Sequence, residues 1–221
     1  ILLRIAGHIR DKINALLTNL EILTEFDFLW CRARFGIDFR GTFPTLTGME
    51  RPLNLVDAHH PLLFAASREN SRPLNLLLDP SDRVLVITGP NAGGKTTALK
   101  TVGLTVLLVQ SAVPVPIGPS SRMPIFDNVL ANIGDEQDLL EGYSTFSAHM
   151  ARIAEILKKT SGATLVLLDE LGTATDPGEG AALAIAILET LAERGALTLV
   201  TSHLGALKNW AFTHPHGRNA S

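Results

Sequence analysis

The sequence predicts an α/β fold of three layers around a mostly parallel sheet, entered through a long N-terminal helix. Three observations carry that expectation. From about residue 74 onward, short apolar runs alternate with helix-length amphipathic segments, the pattern of parallel strands joined by helical crossovers. One of those runs ends at Gly89 in a glycine-rich turn that opens directly into a helix. Of the 221 residues, 46% are hydrophobic and 19% charged, enough apolar material for a packed core and unlike the balance of a disordered chain.

Taken in order, the first element is a helix over about 5–29, where Ile9, Ile13, Leu16, Leu17, Leu20 and Leu23 recur at three- and four-residue steps between Arg10, Lys12, Asn14, Asn19 and Glu21. Phe26, Leu29 and Trp30 carry the stripe toward Phe35, and Gly36 with the stretch 41–44 is expected to end it. This helix enters the domain from outside, so a boundary is expected near residue 45, with a helical region over 1–45 and the α/β domain over 46–221. Residues 74–78 read as a strand, 79–82 as a turn, and 84–88 as a buried strand ending in glycine. A helix follows over about 95–111, and the Pro- and Gly-rich stretch 114–124 predicts loops and an edge strand. The next helix, about 145–159, places Phe146, Met150, Ile153, Ile156 and Leu157 on one face. Strand 164–168, helix 179–194, strand 197–201 and helix 204–210 complete the alternation. No internal repeat or low-complexity tract is visible.

Composition removes several classes of protein. Nineteen Lys and Arg face 22 Asp and Glu, a net charge of −3, which argues against this chain being the main nucleic-acid binder. The single cysteine, Cys31, has no internal partner and no metal-ligand spacing, so neither a disulfide scaffold nor a structural zinc site is expected, and a reducing, cytoplasmic setting fits. No apolar run reaches the 18 or so residues that span a bilayer. The N-terminal stretch is interrupted by Arg4, His8, Arg10, Asp11 and Lys12 and does not read as a signal peptide. A first residue of Ile and a polar finish at 217–221 suggest a piece of a longer protein.

The residues that carry chemistry lie at the ends of the predicted strands. Gly89-Pro90-Asn91-Ala92-Gly93-Gly94-Lys95-Thr96 fits the phosphate-loop pattern G-x-x-x-x-G-K-[ST], between a buried strand and a helix as that loop requires. Its glycines let backbone N–H groups close around phosphate oxygens, the helix N-terminus adds its positive end, Lys95 brings a charge to the β- and γ-phosphates, and Thr96 offers a hydroxyl to Mg²⁺. The strand 164–168 then delivers Asp169 and Glu170 at its C-terminal end, where α/β sheets bind ligands. By itself this is an acidic turn in solvent; beside the loop, Asp169 becomes a Mg²⁺ holder through water and Glu170 the group that orients or deprotonates an attacking water. His203 follows the next strand. A histidine there is commonly a surface or core residue, but its place beyond Asp169 and Glu170 suggests a γ-phosphate sensor. Ser144 or Thr145 caps the helix that Phe146 begins, and a capped helix N-terminus with a free hydroxyl is also an anion site, open to a partner's nucleotide if not to its own.

In order and spacing, residues 89–97 (closing on Thr97), Ser144-Thr145-Phe146, Leu168-Asp169-Glu170-Leu171-Gly172 and Thr201-Ser202-His203 resemble the ATPase domain of the MutS family, within the wider ABC-type ATPases. The resemblance covers about residues 55–212. It implies a P-loop NTPase fold and a homodimer with two ATP sites at its interface, each joining one chain's Lys95, Thr96, Asp169, Glu170 and His203 to the other's Ser144. It also implies Mg²⁺ as cofactor. The run 169–177 is less like the mismatch-repair members, which carry Arg-Gly-Thr here, than like the second bacterial branch. That branch carries a C-terminal Smr nuclease-type domain, which this chain does not reach, and is associated with suppressing homologous recombination and splitting collided ribosomes. The helix 16–23 onward resembles the lever joining ATPase to clamp, and Asp176 is placed in the loop that crosses the dimer interface. DNA and ribosome contacts would then belong to other parts of the parent protein.

Some features remain open at this level. Residues 68–75 contain no aromatic side chain for adenine to stack on; His59, His60 and Phe64 lie nearby, and the two histidines beside Pro61 fit a structural role better than stacking. Asp135, Glu136 and Gln137 suit either Mg²⁺ contact or a solvated loop, and Arg122 and Arg152 are equally undecided. The expected activity is ATP hydrolysis by a dimeric motor domain. The alternatives are a nucleotide-gated dimerisation module with negligible turnover and the motor of a mismatch-repair protein.

Overall fold

The computed structural model describes residues 2–90, 93–134, 145–172 and 176–221. Two helices lead in, α1 (Leu2–Asp11) and α2 (Ile13–Asp38). They depart from the single helix expected in two ways. Lys12 interrupts the helix at φ −110° and ψ 6°, and α2 runs through Gly36 to Asp38. Gly36 does not break the helix because it lies against Pro114: a Cβ there would come within 2.6 Å of the Pro114 ring. Glycine is present for close packing rather than for a turn. The side chains of Leu16, Leu20, Leu23, Phe26 and Trp30 are exposed, and none of the α2 residues is buried.

A four-stranded sheet follows, built from β1 (Thr45–Thr47), β2 (Leu53–Ala58), β3 (Leu74–Leu78) and β5 (Arg122–Pro124) in the order β1-β5-β2-β3. The expected edge strand in 114–124 is therefore internal: β5 lies parallel to β1 on one side and antiparallel to β2 on the other. Pro124 is tolerated because the strand is three residues long and proline closes it. Between β2 and β3 a short helix α3 spans Pro61–Ala66, with proline at its first position.

The larger sheet holds β4 (Val84–Ile87), β6 (Asn128–Asn132), β7 (Thr164–Leu168), β8 (Leu197–Thr201) and β9 (Gly217–Ala220) in the order β6-β7-β8-β4-β9, every neighbouring pair parallel. Its crossovers are α4 (Lys95–Gln110), α5 (Thr145–Lys159), α6 (Pro177–Glu193) and α7 (Gly205–Thr213). Alternation along the strands divides the core. Val84, Val86, Val166, Leu168 and Val200 face Ile153 and Ile156 of α5, Ala184, Ile187, Leu188 and Leu191 of α6, and Leu207 of α7. Leu85, Leu165, Leu167, Leu197 and Leu199 point the other way, onto Leu99, Val102 and Val106 of α4 and onto Leu55, Leu78 and Met123 of the smaller sheet. A sheet covered on both faces needs apolar residues at every position, which is why these strands read as continuous runs. The third layer is thus α4 together with the small sheet. No helix among the described residues is long and apolar enough to cross a membrane.

The parallel register puts the strand ends in one row. Asn132 pairs with Leu168, Leu168 with Val200, and Ile87 with Thr201, so the segments that follow all four strands emerge along a single edge.

Candidate active site

At that edge β4 hands over to the glycine-rich loop. Gly93 N–H donates to the carbonyl of Pro90 at 2.9 Å, and Gly94, with φ +79°, is the residue from which α4 starts. That left-handed conformation costs a side-chain-bearing residue about 1 kcal/mol, which explains the glycine. Lys95 follows and is 7% exposed. Its Nζ donates to the carbonyls of Gly89 at 2.6 Å and Pro90 at 3.0 Å, so the ammonium is held inside the curl of the loop. Asn91 and Ala92 lie outside the described residues. Thr97 is half-buried on the first turn of α4, and its carbonyl accepts from Thr101 Oγ1 at 2.7 Å.

Asp169 arrives from β7, two strands away from β4 with β8 between them. Thr96 Oγ1 nevertheless donates to Asp169 Oδ2 at 2.8 Å, which joins the loop helix to the acidic strand end. The other carboxylate oxygen, Oδ1, accepts from Thr201 Oγ1 at 2.5 Å, and the Asp169 N–H donates to the carbonyl of Asn132 at 2.9 Å. The carboxylate is fixed from both sides before any ligand arrives. Glu170 is held differently, with φ +50°, uncommon for a residue with a side chain. Its N–H donates to Thr201 Oγ1 at 2.8 Å, and the next N–H, of Leu171, donates to the Thr201 carbonyl at 3.2 Å. Strain of this kind persists where surrounding bonds over-determine the backbone, and it concentrates at functional sites.

His203 stands at the same edge, exposed, directly after Ser202, whose N–H donates to Ile87 O at 3.2 Å and whose Oγ donates to Leu171 O at 3.3 Å. Lys95, Thr96, Asp169, Glu170 and His203 therefore share one row of strand ends, as their spacing predicts. Ser144 lies outside the described residues, as do Asp135, Glu136 and Gln137. Asp176 caps α6, its Oδ1 accepting from Gly178 N at 2.9 Å and Glu179 N at 3.3 Å.

His59 and His60 are built into the structure. His59 Nδ1 is 2.9 Å from Ser71 Oγ, and its ring is tilted against Phe64 at 5.0 Å. Burial lowers its pKa below the usual 6.5, against the pull of Asp57. His60 is lowered too, by burial first and then by the positive charge of Lys100.

Two residues at the site carry roles that the motif spacing does not disclose. Thr201 bonds Asp169 and Glu170 at once, and Asn132 holds the Asp169 backbone. Thr201 lies within the quoted Thr-Ser-His run, but only the folded sheet shows what its hydroxyl does. Asn132 ends a strand with polar residues at both tips, Asn128 and Asn132, which does not read as a buried strand.

Two hard oxygen donors, the Thr96 hydroxyl and the Asp169 carboxylate, meet at the start of the helix that carries the buried Lys95. That donor set suits Mg²⁺, which favours oxygen and keeps positions for water and phosphate. Comparison with known proteins shows the family. The model of MutS domain V matches residues 85–221. The chain is 43% identical over 221 residues to Endonuclease MutS2 of Thermotoga maritima, covering 100% of this chain and 28% of that protein. It is 45% identical over 208 residues to Endonuclease MutS2 of Aquifex aeolicus (94% and 27% covered) and 48% over 203 residues to that of Pelotomaculum thermopropionicum (92% and 25%). The chain spans 25–28% of the length of these curated relatives. A P-loop NTPase-type fold, the motif residues gathered on one sheet edge and this match over its length together place the chain in the MutS family, with residues 85–221 matching its domain V.

Proposed function

We propose that this domain binds Mg²⁺–ATP and hydrolyses it in a site completed by a second copy of the chain. The observation that carries the reading is the 2.8 Å bond between Thr96 Oγ1 and Asp169 Oδ2, which brings the phosphate loop and the acidic strand end to one point across β8. Lys95 is poised to exchange its carbonyl partners for β- and γ-phosphate oxygens, since an ammonium gains more from an anion than from a neutral acceptor. Thr96 and Asp169 would hold the metal, which when bound neutralises charge on the phosphate oxygens. Glu170, set beyond Asp169 by its left-handed backbone, accepts the proton of the attacking water, and His203 donates to the γ-phosphate or to that water. Ser144 of the second copy supplies a hydroxyl and a helix N-terminus against the charge on the γ-phosphate.

At the level of the parent protein, we place the domain in a cytoplasmic homodimer that acts on DNA or ribosomes through regions outside this chain, in suppression of recombination or rescue of collided ribosomes. Any endonuclease activity, the property named in the relatives, belongs to those regions as well. The deciding experiment for the domain is Glu170→Gln. It should bind ATP with Mg²⁺ as the unaltered protein does and lose turnover about a hundredfold or more, the range typical of removing a general base. Unchanged hydrolysis would remove Glu170 from the reaction. Retained binding with no measurable turnover even in the unaltered protein would instead favour a nucleotide-gated dimerisation module.

A further inference from the structure

Asn132 closes β6 and is 4% exposed, and it bonds in two directions. Its backbone carbonyl accepts the N–H of Asp169 at 2.9 Å. Its side-chain Nδ2 lies 3.3 Å from Nδ1 and 3.4 Å from Nε2 of His149, on the second turn of α5. A buried carboxamide must place its donors on partners inside the protein, and the imidazole is a partner supplied by a different element. One residue therefore touches both the backbone of the metal-holding carboxylate and the N-terminal part of α5.

The position of α5 gives that contact its meaning. The helix begins at Thr145, directly after Ser144, while Ile153 and Ile156 near its middle bury against the sheet. Apolar burial is non-directional and leaves a helix free to slide or roll by small amounts. A hydrogen-bonding contact selects one azimuth and one height, and this one acts at the end of α5 nearest residue 144.

We infer that Asn132 and His149 are positioning residues that hold α5 in register with Asp169 of the same chain, so that a shift at one nucleotide site reaches the helix this chain lends to the other. The inference rests on the shared-site reading above. Asp169 serves the chain's own nucleotide and α5 serves the partner's, and Asn132 is bonded to both.

The test is a double-mutant cycle in the intact protein, with steady-state ATP turnover as readout and thermal unfolding as the check on folding. Asn132→Ala and His149→Ala should each lower kcat about tenfold or more with KM little changed, because a misplaced catalytic group costs rate rather than ground-state binding. The double variant should fall no further, since both changes break the same contact. His149→Gln, whose side-chain oxygen can accept from the Asn132 amide, should recover most of the loss, and Asn132→Ser should not. Wild-type kcat in the single variants, or multiplied losses in the double, overturns the inference. Ser144→Ala separates the two levels. If it lowers kcat while the Asn132 and His149 variants do not, the shared site stands and the register link falls. If it leaves kcat unchanged, both fall together.

Discussion

The hydroxyl of Thr201 has one proton to give and lone pairs to receive with, and it uses both, donating to Asp169 Oδ1 and accepting from the Glu170 N–H. The residue is fully buried, so no water can stand in for it. Thr201→Val keeps the shape and removes the hydroxyl, leaving an Asp169 lone pair and the Glu170 N–H without their partner. We expect a loss of about 1–3 kcal/mol in stability, the cost of orphaning buried polar groups. Turnover should fall further than that loss implies, because Glu170 would no longer be held at its left-handed backbone angle. Urea unfolding and ATPase rates on one preparation check this, and equal rates would show that Glu170 is placed by something else.

His60 supplies a second expectation at this scale. Burial, with Lys100 adding to it, lowers its pKa in the folded chain below the ordinary 6.5, so the unfolded chain binds its proton more readily. Its contribution to stability is whole above pH 6.5 and is lost as the pH falls from there toward the folded-state value. Its Nδ1 is buried without a hydrogen-bond partner, which adds to the disadvantage of charging the ring. The thermal midpoint should therefore drop on acidification below 6.5, and His60→Gln should flatten that drop. His59, lowered for the same main reason, contributes in the same direction and is the control to mutate in parallel.

Among the elements, α2 shows how packing overrules a local signal. A glycine inside a helix costs about 1 kcal/mol relative to alanine, so propensity alone favours Gly36→Ala. The structure predicts the reverse. The new Cβ would meet a stiff proline ring at 2.6 Å, at the place where Thr42 and Val115 exchange backbone hydrogen bonds of 2.8 and 3.0 Å and Arg32 reaches Ser111 O at 3.5 Å. Overpacking of that kind costs about 1–3 kcal/mol, which exceeds the gain. Chemical denaturation of Gly36→Ala should show net destabilisation, and a stabilised variant would mean that the root of α2 yields. A similar lesson holds at the polar strands. β6 and β9 carry residues such as Asn128, Asn132, Arg218 and Asn219 and have no alternation that a single strand would reveal; both lie at the edges of the large sheet, where neighbours on one side supply the pairing. The edge β9 is also tied by Arg218 to Asp82 at 3.2 Å, with the Asp79 N–H donating to the same carboxylate oxygen at 3.0 Å. Asp82→Ala should loosen that corner by about 1 kcal/mol, seen as faster amide exchange along β9, with turnover little affected.

For the molecule as a whole, the described residues gather Lys95, Thr96, Asp169, Glu170 and His203 at one edge of the large sheet and leave the helix α2 without a buried residue. Specific ATPase activity should climb with protein concentration and then plateau, since a site shared between two copies forms in proportion to their association. A flat dependence together with a monomeric mass would show that each copy works alone. Three strands of the large sheet, β4, β7 and β8, its crossover helices, the glycine-rich loop and the acidic strand end were legible in the linear chain, because burial on both faces demands unbroken apolar runs and because phosphate binding demands glycine, lysine and a hydroxyl at fixed spacing; the polar edge strands β6 and β9 were not. Which strands lie between which was not legible. Strand order places β8 between β7 and β4, makes Thr201 the bridge between Asp169 and Glu170, turns β5 into an interior strand and brings Asn132 against His149. Those are contacts between residues distant in sequence, settled by the packing of whole layers rather than by any local preference, and only the tertiary structure could decide them.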